Sequence, residues 1–400
     1  MDDAFAHDMI GRRIAHARKL RDLTQRELAE RVPCSKSLIA QVEGGHKPAT
    51  PSLISAVARV LHVDVTELTG QPYRGATAAT DRIHEAIPQI RQALAHWDIP
   101  PDPDVAPRPL PELAAVVDHT NRLRETTRYT ELGGALPALI TELSAHAHTA
   151  TAPDRGHVFG LLSTAYTGAY SLACKLGYTD LMSIAVERAI WAAWQSDDPL
   201  LPAVAEYKRT MAFMVSGAYA GGMHLLHRAL RRLEPLSDDR ALLSVYGSLH
   251  LRQAILAARD NRPTTAWDHI GAAQEIAVRT GDTPDYGLSF GPSNTAIHSV
   301  AVAVELGDAD EAIRRNADLV LPPSMTPERT SHHYIDLSRA WLWQGRWDKA
   351  LGCVLTAERI APQMTRYHPM SRETVARLLD LQRRLPSPLR GLARRMGITT

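Results

Sequence analysis

The sequence predicts an all-α protein, a small N-terminal head of short helices followed by a long array of helical hairpins. Apolar residues recur at helical spacing along the 400 residues, and no run shows the strict alternation of a half-buried strand. Beyond residue 111, helix stops made of Gly, Pro or Asp come in pairs about every 35–45 residues, the period of helical-hairpin solenoids. Six prolines among the thirteen residues Ile99 to Pro111 forbid a helix and read as an extended, semi-stiff spacer. The chain is too long for one compact core. These marks divide it into a head at 1–74, a connecting helix and Pro-rich linker at 75–110, and a repeat region at 111–400.

Within the head, Thr24 followed by Glu27 is a capping box that opens a helix carrying Leu28, Ala29 and Val32 on one side. Ala29 is small enough for a second helix to cross at close range. Pro33 breaks the chain, and Ser35 is a good N-cap for a helix running to Glu43. That helix turns Leu38, Ile39 and Val42 inward and Lys36, Ser37 and Gln41 outward. Gly44 and Gly45 end it by offering a left-handed cap. A further helix, Pro51 to Leu61, presents Leu53, Ile54, Val57, Ala58 and Leu61 as core. Two short helices joined by a tight turn, with small polar and basic residues outside the second, make a helix-turn-helix. The charge agrees: from Arg12 to Lys47, nine Lys or Arg stand against four acids, although the whole chain carries only +1.

The segment from about Asp8 to Tyr73 resembles the Cro/repressor-like family, also called the xenobiotic-response-element family. The likeness rests on Arg18-Lys19-Leu20, Leu23-Thr24-Gln25, Glu27-Leu28-Ala29, Ser35, Leu38-Ile39, Val42-Glu43 and Val57-Ala58-Leu61. It covers about a sixth of the chain and implies a five-helix, lambda-repressor-like domain that binds double-stranded DNA. By that resemblance Ser35 to Glu43 is the recognition helix. Lys36, Ser37 and Gln41 then face the bases, where Lys suits guanine acceptors and Gln pairs with adenine, and Ser35 at the helix start is counted among the DNA-binding residues. Gln25 takes the phosphate position at a helix N-terminus, and His46 and Lys47 contact the DNA backbone. Arg18 and Glu43 correspond to an internal ion pair. Pro33 departs from the glycine most usual in that turn, so the turn must differ in detail.

A loop at Gln71–Thr80 and a helical stretch from Asp81 to about Trp97 lead to the spacer. Later breaks are expected at Tyr129–Gly133, Gly177–Asp180, Gly217–Gly222, Asn261–Pro263, Gly307–Asp308 and Gly345–Trp347, among others. Ser299–Val320 has Leu306-Gly307-Asp308 at its turn. Leu337–Pro362 places Ala340, Gly345, Ala350, Ala357 and Pro362 in the register of a tetratricopeptide repeat. An irregular all-helical domain without a true repeat is the alternative. The whole layout looks like that of actinobacterial regulators joining such a head to a tetratricopeptide-like tail, on EGGHKPATPSL (Glu43 to Leu53), VDVTELTGQPY (Val63 to Tyr73) and FGPSNTAIH (Phe290 to His298). Similar proteins of Gram-positive bacteria are peptide-responsive, and by that likeness the concave face binds a signalling peptide, a small molecule or a protein partner. Asn294 and His298 lie at i and i+4 on one helix face, and Tyr207 and Arg252 line the same side in neighbouring hairpins. Packing between hairpins is the alternative role of Asn294 and His298, and packing is the expected role of Trp191, Trp194, Trp341, Trp343 and Trp347.

Other functions find little support. Three scattered cysteines, Cys34, Cys174 and Cys353, fit neither a disulfide framework nor a clustered metal site. No secretory pattern opens the chain, and no stretch suits a membrane span, so a cytoplasmic protein without membrane contact is expected. No phosphate-binding, dinucleotide, zinc-protease or nucleophile-elbow motif occurs, and no enzyme activity, metal or cofactor is expected. Two functions remain: a homodimeric transcription regulator gated through its tail, or an interaction scaffold that its head places on DNA.

Overall fold

The computed structural model describes residues 9–32, 34–74, 81–100, 108–151, 154–233, 239–382 and 384–398. Among these residues the regular elements are 21 α-helices and two 3-10 turns. The head comprises α1 (Ile10–Lys19), α2 (Gln25–Arg31), α3 (Lys36–Glu43), α4 (Pro51–Leu61) and α5 (Val65–Thr69). Its helix starts are written in side chains. Thr24 and Glu27 form both halves of a capping box, and Asp64 with Glu67 forms a second. Ser35 accepts from the Leu38 amide at 3.1 Å, and Thr50 from the Leu53 amide at 3.2 Å. Ile14, Leu28, Ile39, Val57 and Leu61 are fully buried at the centre. The left-handed residue after α3 is Gly45, at φ +71°, while Gly44 stays right-handed at φ −76°. Pro33, where the unusual turn was expected, lies outside the described residues.

The connecting stretch holds α6 (Ile87–Ala95), and six helical hairpins follow it among the described residues. They pair α7 (Leu110–Glu125) with α8 (Tyr129–Thr149), α9 (Asp154–Leu176) with α10 (Thr179–Ala193), and α11 (Leu201–Ser216) with α12 (Tyr219–Arg232). Then α13 (Arg240–Arg259) pairs with α14 (Pro263–Thr280), α15 (Pro292–Glu305) with α16 (Ala309–Asn316), and α17 (Pro327–Trp343) with α18 (Trp347–Ile360). Three helices close the chain: α19 (Pro362–Tyr367), α20 (Pro369–Leu381) and α21 (Ser387–Met396).

One turn is used six times. Thr127, Gly177, Gly217, Asn261, Gly307 and Gly345 each take a left-handed conformation, with φ between +54° and +84°. The next amide then donates to the carbonyl five residues back: Arg128 to Leu123, Tyr178 to Ala173, Ala218 to Phe213, Arg262 to Ala257 and Asp308 to Ala303 at 2.9 Å, and Arg346 to Trp341 at 3.0 Å. This closure satisfies carbonyls at the helix end and reverses the chain. The tail is therefore a solenoid-like stack built on one repeated turn. The break expected at Tyr129–Gly133 falls instead at Thr126–Arg128. Gly133 lies inside α8, where a Cβ would stand 3.1 Å from Ala86 and 3.3 Å from Leu172, so its smallness serves packing.

Head and tail share one apolar core. A continuous cluster joins Ile14, Leu28 and Leu61 of the head to Leu132, Leu172 and Met370 of the tail. Residues expected as a connector belong to it as well, since Ile83, Ile87, Ile90 and Leu94 are buried there. The Pro-rich residues 101–107 lie outside the described residues. Helix α1 has no side-chain cap of its own, and Glu373 of α20 accepts from its first amide at 3.1 Å. Ser55 of α4 sits over the end of α11, its hydroxyl 3.4 Å from the Met214 carbonyl and 3.3 Å from that of Val215.

Candidate functional site

Helix α3 separates its residues cleanly. Ile39, Val42 and Glu43 are buried, Leu38 is half-buried, and Ser35, Lys36, Ser37 and Gln41 are exposed. Gln41 donates to the Ser37 hydroxyl at 3.1 Å, so these two form one polar ridge beside Lys36. His46 and Lys47 are exposed in the following loop. The Ser35 hydroxyl is engaged as the helix cap. Behind this face, Glu43 receives Arg18 through two bonds of 2.6 and 2.8 Å. That bonding holds the Arg18 guanidinium above its ordinary pKa. The Gln25 amide donates at 2.9 Å to Glu43 Oε2, the oxygen that also accepts from Arg18 Nη2. Gln25 is thus tied to Glu43, with its backbone at the start of α2.

The first helices of the six hairpins line a central cavity of about 200 Å³, rimmed on the head side by Pro51. It carries seven Lys or Arg against three carboxylates. Tyr207, Arg252 and His298 come together there, while Asn294 does not line it. Asn294 is buried, its side-chain amide donating to the Leu288 carbonyl at 3.2 Å, and its main-chain carbonyl accepts from His298 Nδ1 at 2.9 Å. The pair therefore fixes the start of α15. Burial, Arg329 and Arg252 lower the His298 imidazole to about 3, so it is neutral. The Arg252 guanidinium lies 4.2 Å over the Tyr207 ring. Among the described residues there is no His, Cys, Asp and Glu grouping fit to hold a metal ion.

Residues 10–69 match the model of a family described as a helix-turn-helix domain. That domain is the head. No curated protein matches the chain. Among solved structures the chain is similar to Bacillus thuringiensis PlcR in complex with the peptide PapR7 and DNA, at 15% identity over 87% of this chain and 99% of that one, with a TM-score of 0.36. It is also similar to BtubC (BKLC) from P. vanneervenii, at 16% identity over 69% of this chain and 96% of that one, with a TM-score of 0.37. No helix among the described residues is long and apolar enough to cross a membrane.

Sequence reasoning missed Lys175, Lys208, Glu328 and Arg329 of the cavity. They stand on the first helices of three hairpins, and no local pattern marks them, because a charge on a buried face breaks the helical period. Trp191 does pack as expected, edge-on to Trp97 at 4.8 Å and to Phe159 at 5.3 Å, whereas Trp194 is exposed beneath Arg232.

Proposed function

We propose that the chain is a cytoplasmic, sequence-specific transcription regulator, homodimeric, whose head at 1–74 reads DNA and whose tail at 111–400 governs that reading. It has no catalytic step of its own. The observation that carries this is the helix-turn-helix over residues 10–69 with Lys36, Ser37 and Gln41 exposed together on α3. An exposed polar ridge on a helix whose inner face is fixed by Ile39, Val42 and Glu43 suits insertion into a major groove. In a dimer two such helices read half-sites about 34 Å apart. The tail supports the gating part of the reading through its central cavity, which a small molecule, a peptide or part of a partner protein would occupy.

The test is footprinting of purified full-length protein on DNA fragments selected by that protein. Protection of a pseudo-palindrome is expected, and Gln41→Ala should relax discrimination at one base position by roughly 1–3 kcal/mol. Uniform weakening on every sequence would show that Gln41 only positions the helix. Absence of any preferred sequence would remove the reading itself.

A further inference from the structure

We propose that the tail cavity binds a small organic anion, a molecule bearing carboxylate or phosphate groups, held against Tyr207 by Arg252, Arg329 and Lys208. This names the effector class for the regulator inferred above, and its regulatory meaning rests on that reading.

The cavity's own carboxylates are already committed. Glu328 meets Lys175 at 2.9 Å and Arg124 at 3.8 Å. Glu305 is shared by Arg259 and Arg339, each at 3.2 Å, and Asp336 also faces Arg339 at 3.2 Å. Among the described residues Arg252, Arg329 and Lys208 form no ion pair within 4.0 Å, and Glu328, already paired with Lys175, acts on Arg329 and Lys208 only from farther away. Arg252 lies over the Tyr207 ring and donates only to the Met214 sulfur, at 4.0 Å, while its Nε has no hydrogen-bond partner. The Arg329 side chain has the Tyr207 hydroxyl alone, at a long 3.5 Å. Lys208 is buried and makes no hydrogen bond among the described residues. Cations withdrawn from water without close counter-ions are costly: burial and the Arg124 charge bring the Lys208 amine down to about 7, and a negative charge arriving beside Arg252 and Arg329 would restore its proton.

Tyr207 reports the same field. Burial pushes its phenol up, but Arg252, Arg329 and Lys208 outweigh that and bring it down to about 7. The cavity thus draws on its own phenol as a partial counter-ion. Size narrows the class further. Pockets for drug-sized ligands measure roughly 300–1,000 Å³, so a cavity of about 200 Å³ suits a compact metabolite-sized anion better than an extended peptide. Met211, Met214, Ile255 and Ile297 supply apolar wall for its carbon skeleton.

The test is calorimetric titration of the full chain with sodium citrate and with inorganic pyrophosphate, against chloride at equal ionic strength. Saturable binding of at least one anion is expected, and the preferred one tells carboxylate from phosphate. Arg329→Met and Arg252→Met should each weaken binding by at least about tenfold, the cost of losing a charge-assisted hydrogen bond. Arg329→Lys keeps the charge and should retain most of the affinity, which keeps the test decisive if the Met variant folds poorly. Bound anion should also suppress the tyrosinate absorbance near neutral pH, a signal absent from Tyr207→Phe. No saturable binding of either anion, or equal affinity in wild type and both Met variants, overturns the proposal. The two readings separate in one further measurement. Anion binding that leaves DNA affinity unchanged keeps the site and removes gating, whereas sequence-specific DNA binding without anion binding keeps the reader and removes the site.

Discussion

A single carboxylate, Glu43, holds together the three helices that present the exposed ridge of α3. Its two oxygens receive Arg18 from α1 and Gln25 from α2, and both it and Arg18 are buried. Glu43→Ala would leave the Arg18 guanidinium buried without a counter-charge, and should destabilise the head by roughly 3–5 kcal/mol, measured by denaturant unfolding. A loss below about 1 kcal/mol, the range of exposed pairs, would show that the triad is not held dry. Tyr207 supports a second prediction at this scale. Its phenol is lowered to about 7 in the folded chain, below its ordinary unfolded value near 10. The unfolded state therefore binds the proton more tightly, so stability from this group is gained as pH rises from about 7 to 10 and lost as pH falls through 7. Of the eleven tyrosines, one should ionise near neutral pH, and Tyr207→Phe should abolish that phase of the absorbance titration. Residues such as Ile39, Val42 and Glu43 were readable because helical period and family resemblance both place them. Arg329 and Lys208 were not, because a charge on a buried face is an exception to the period, visible only once neighbouring hairpins converge on it.

At the level of elements, the six left-handed turns fix how the hairpins stack, and they are not equivalent. Around Gly345 a Cβ would meet nothing within 4 Å, so Gly345→Ala carries only the backbone cost of a left-handed alanine, roughly 1 kcal/mol. At Gly177 the same Cβ would strike the Gln71 side chain, so Gly177→Ala must also displace the segment that follows α5. Melting of the two variants should show the larger Tm drop for Gly177→Ala, and equal drops would mean that the Gln71 contact yields freely. These turns also show what local sequence can and cannot announce. Gly177, Gly217, Gly307 and Gly345 mark their turns openly, and Asn261 does so because asparagine tolerates the left-handed region. Thr127 gives no such sign, and the nearby Gly133 drew the expected break into α8, where its lack of a side chain admits Ala86 and Leu172.

The whole molecule is organised by contacts that no local pattern announces. Nothing in the neighbourhood of Ile10 or of Glu373 tells that one caps the other, since 363 residues separate them. Yet that bond gives α1 the acceptor its own sequence lacks. The head is also tied to α11 by Ser55 at Met214 and Val215, and Tyr207, Lys208, Met211 and Met214 of that same helix line the cavity. One continuous apolar cluster beneath these contacts means the head should not melt by itself. Scanning calorimetry of the full chain should give a main transition in which head and first hairpins unfold together. Glu373→Leu removes the acceptor and leaves a buried amide unpaired, at a cost of roughly 1–3 kcal/mol placed at the head–tail contact. It should therefore split an early head transition from a tail transition that stays near its original temperature, followed by amide exchange in α1 against α13. If α1 and α13 lose protection together in both proteins, the head is held by its apolar contacts alone. If α1 exchanges early even in the wild type, the shared core does not couple the two parts in solution.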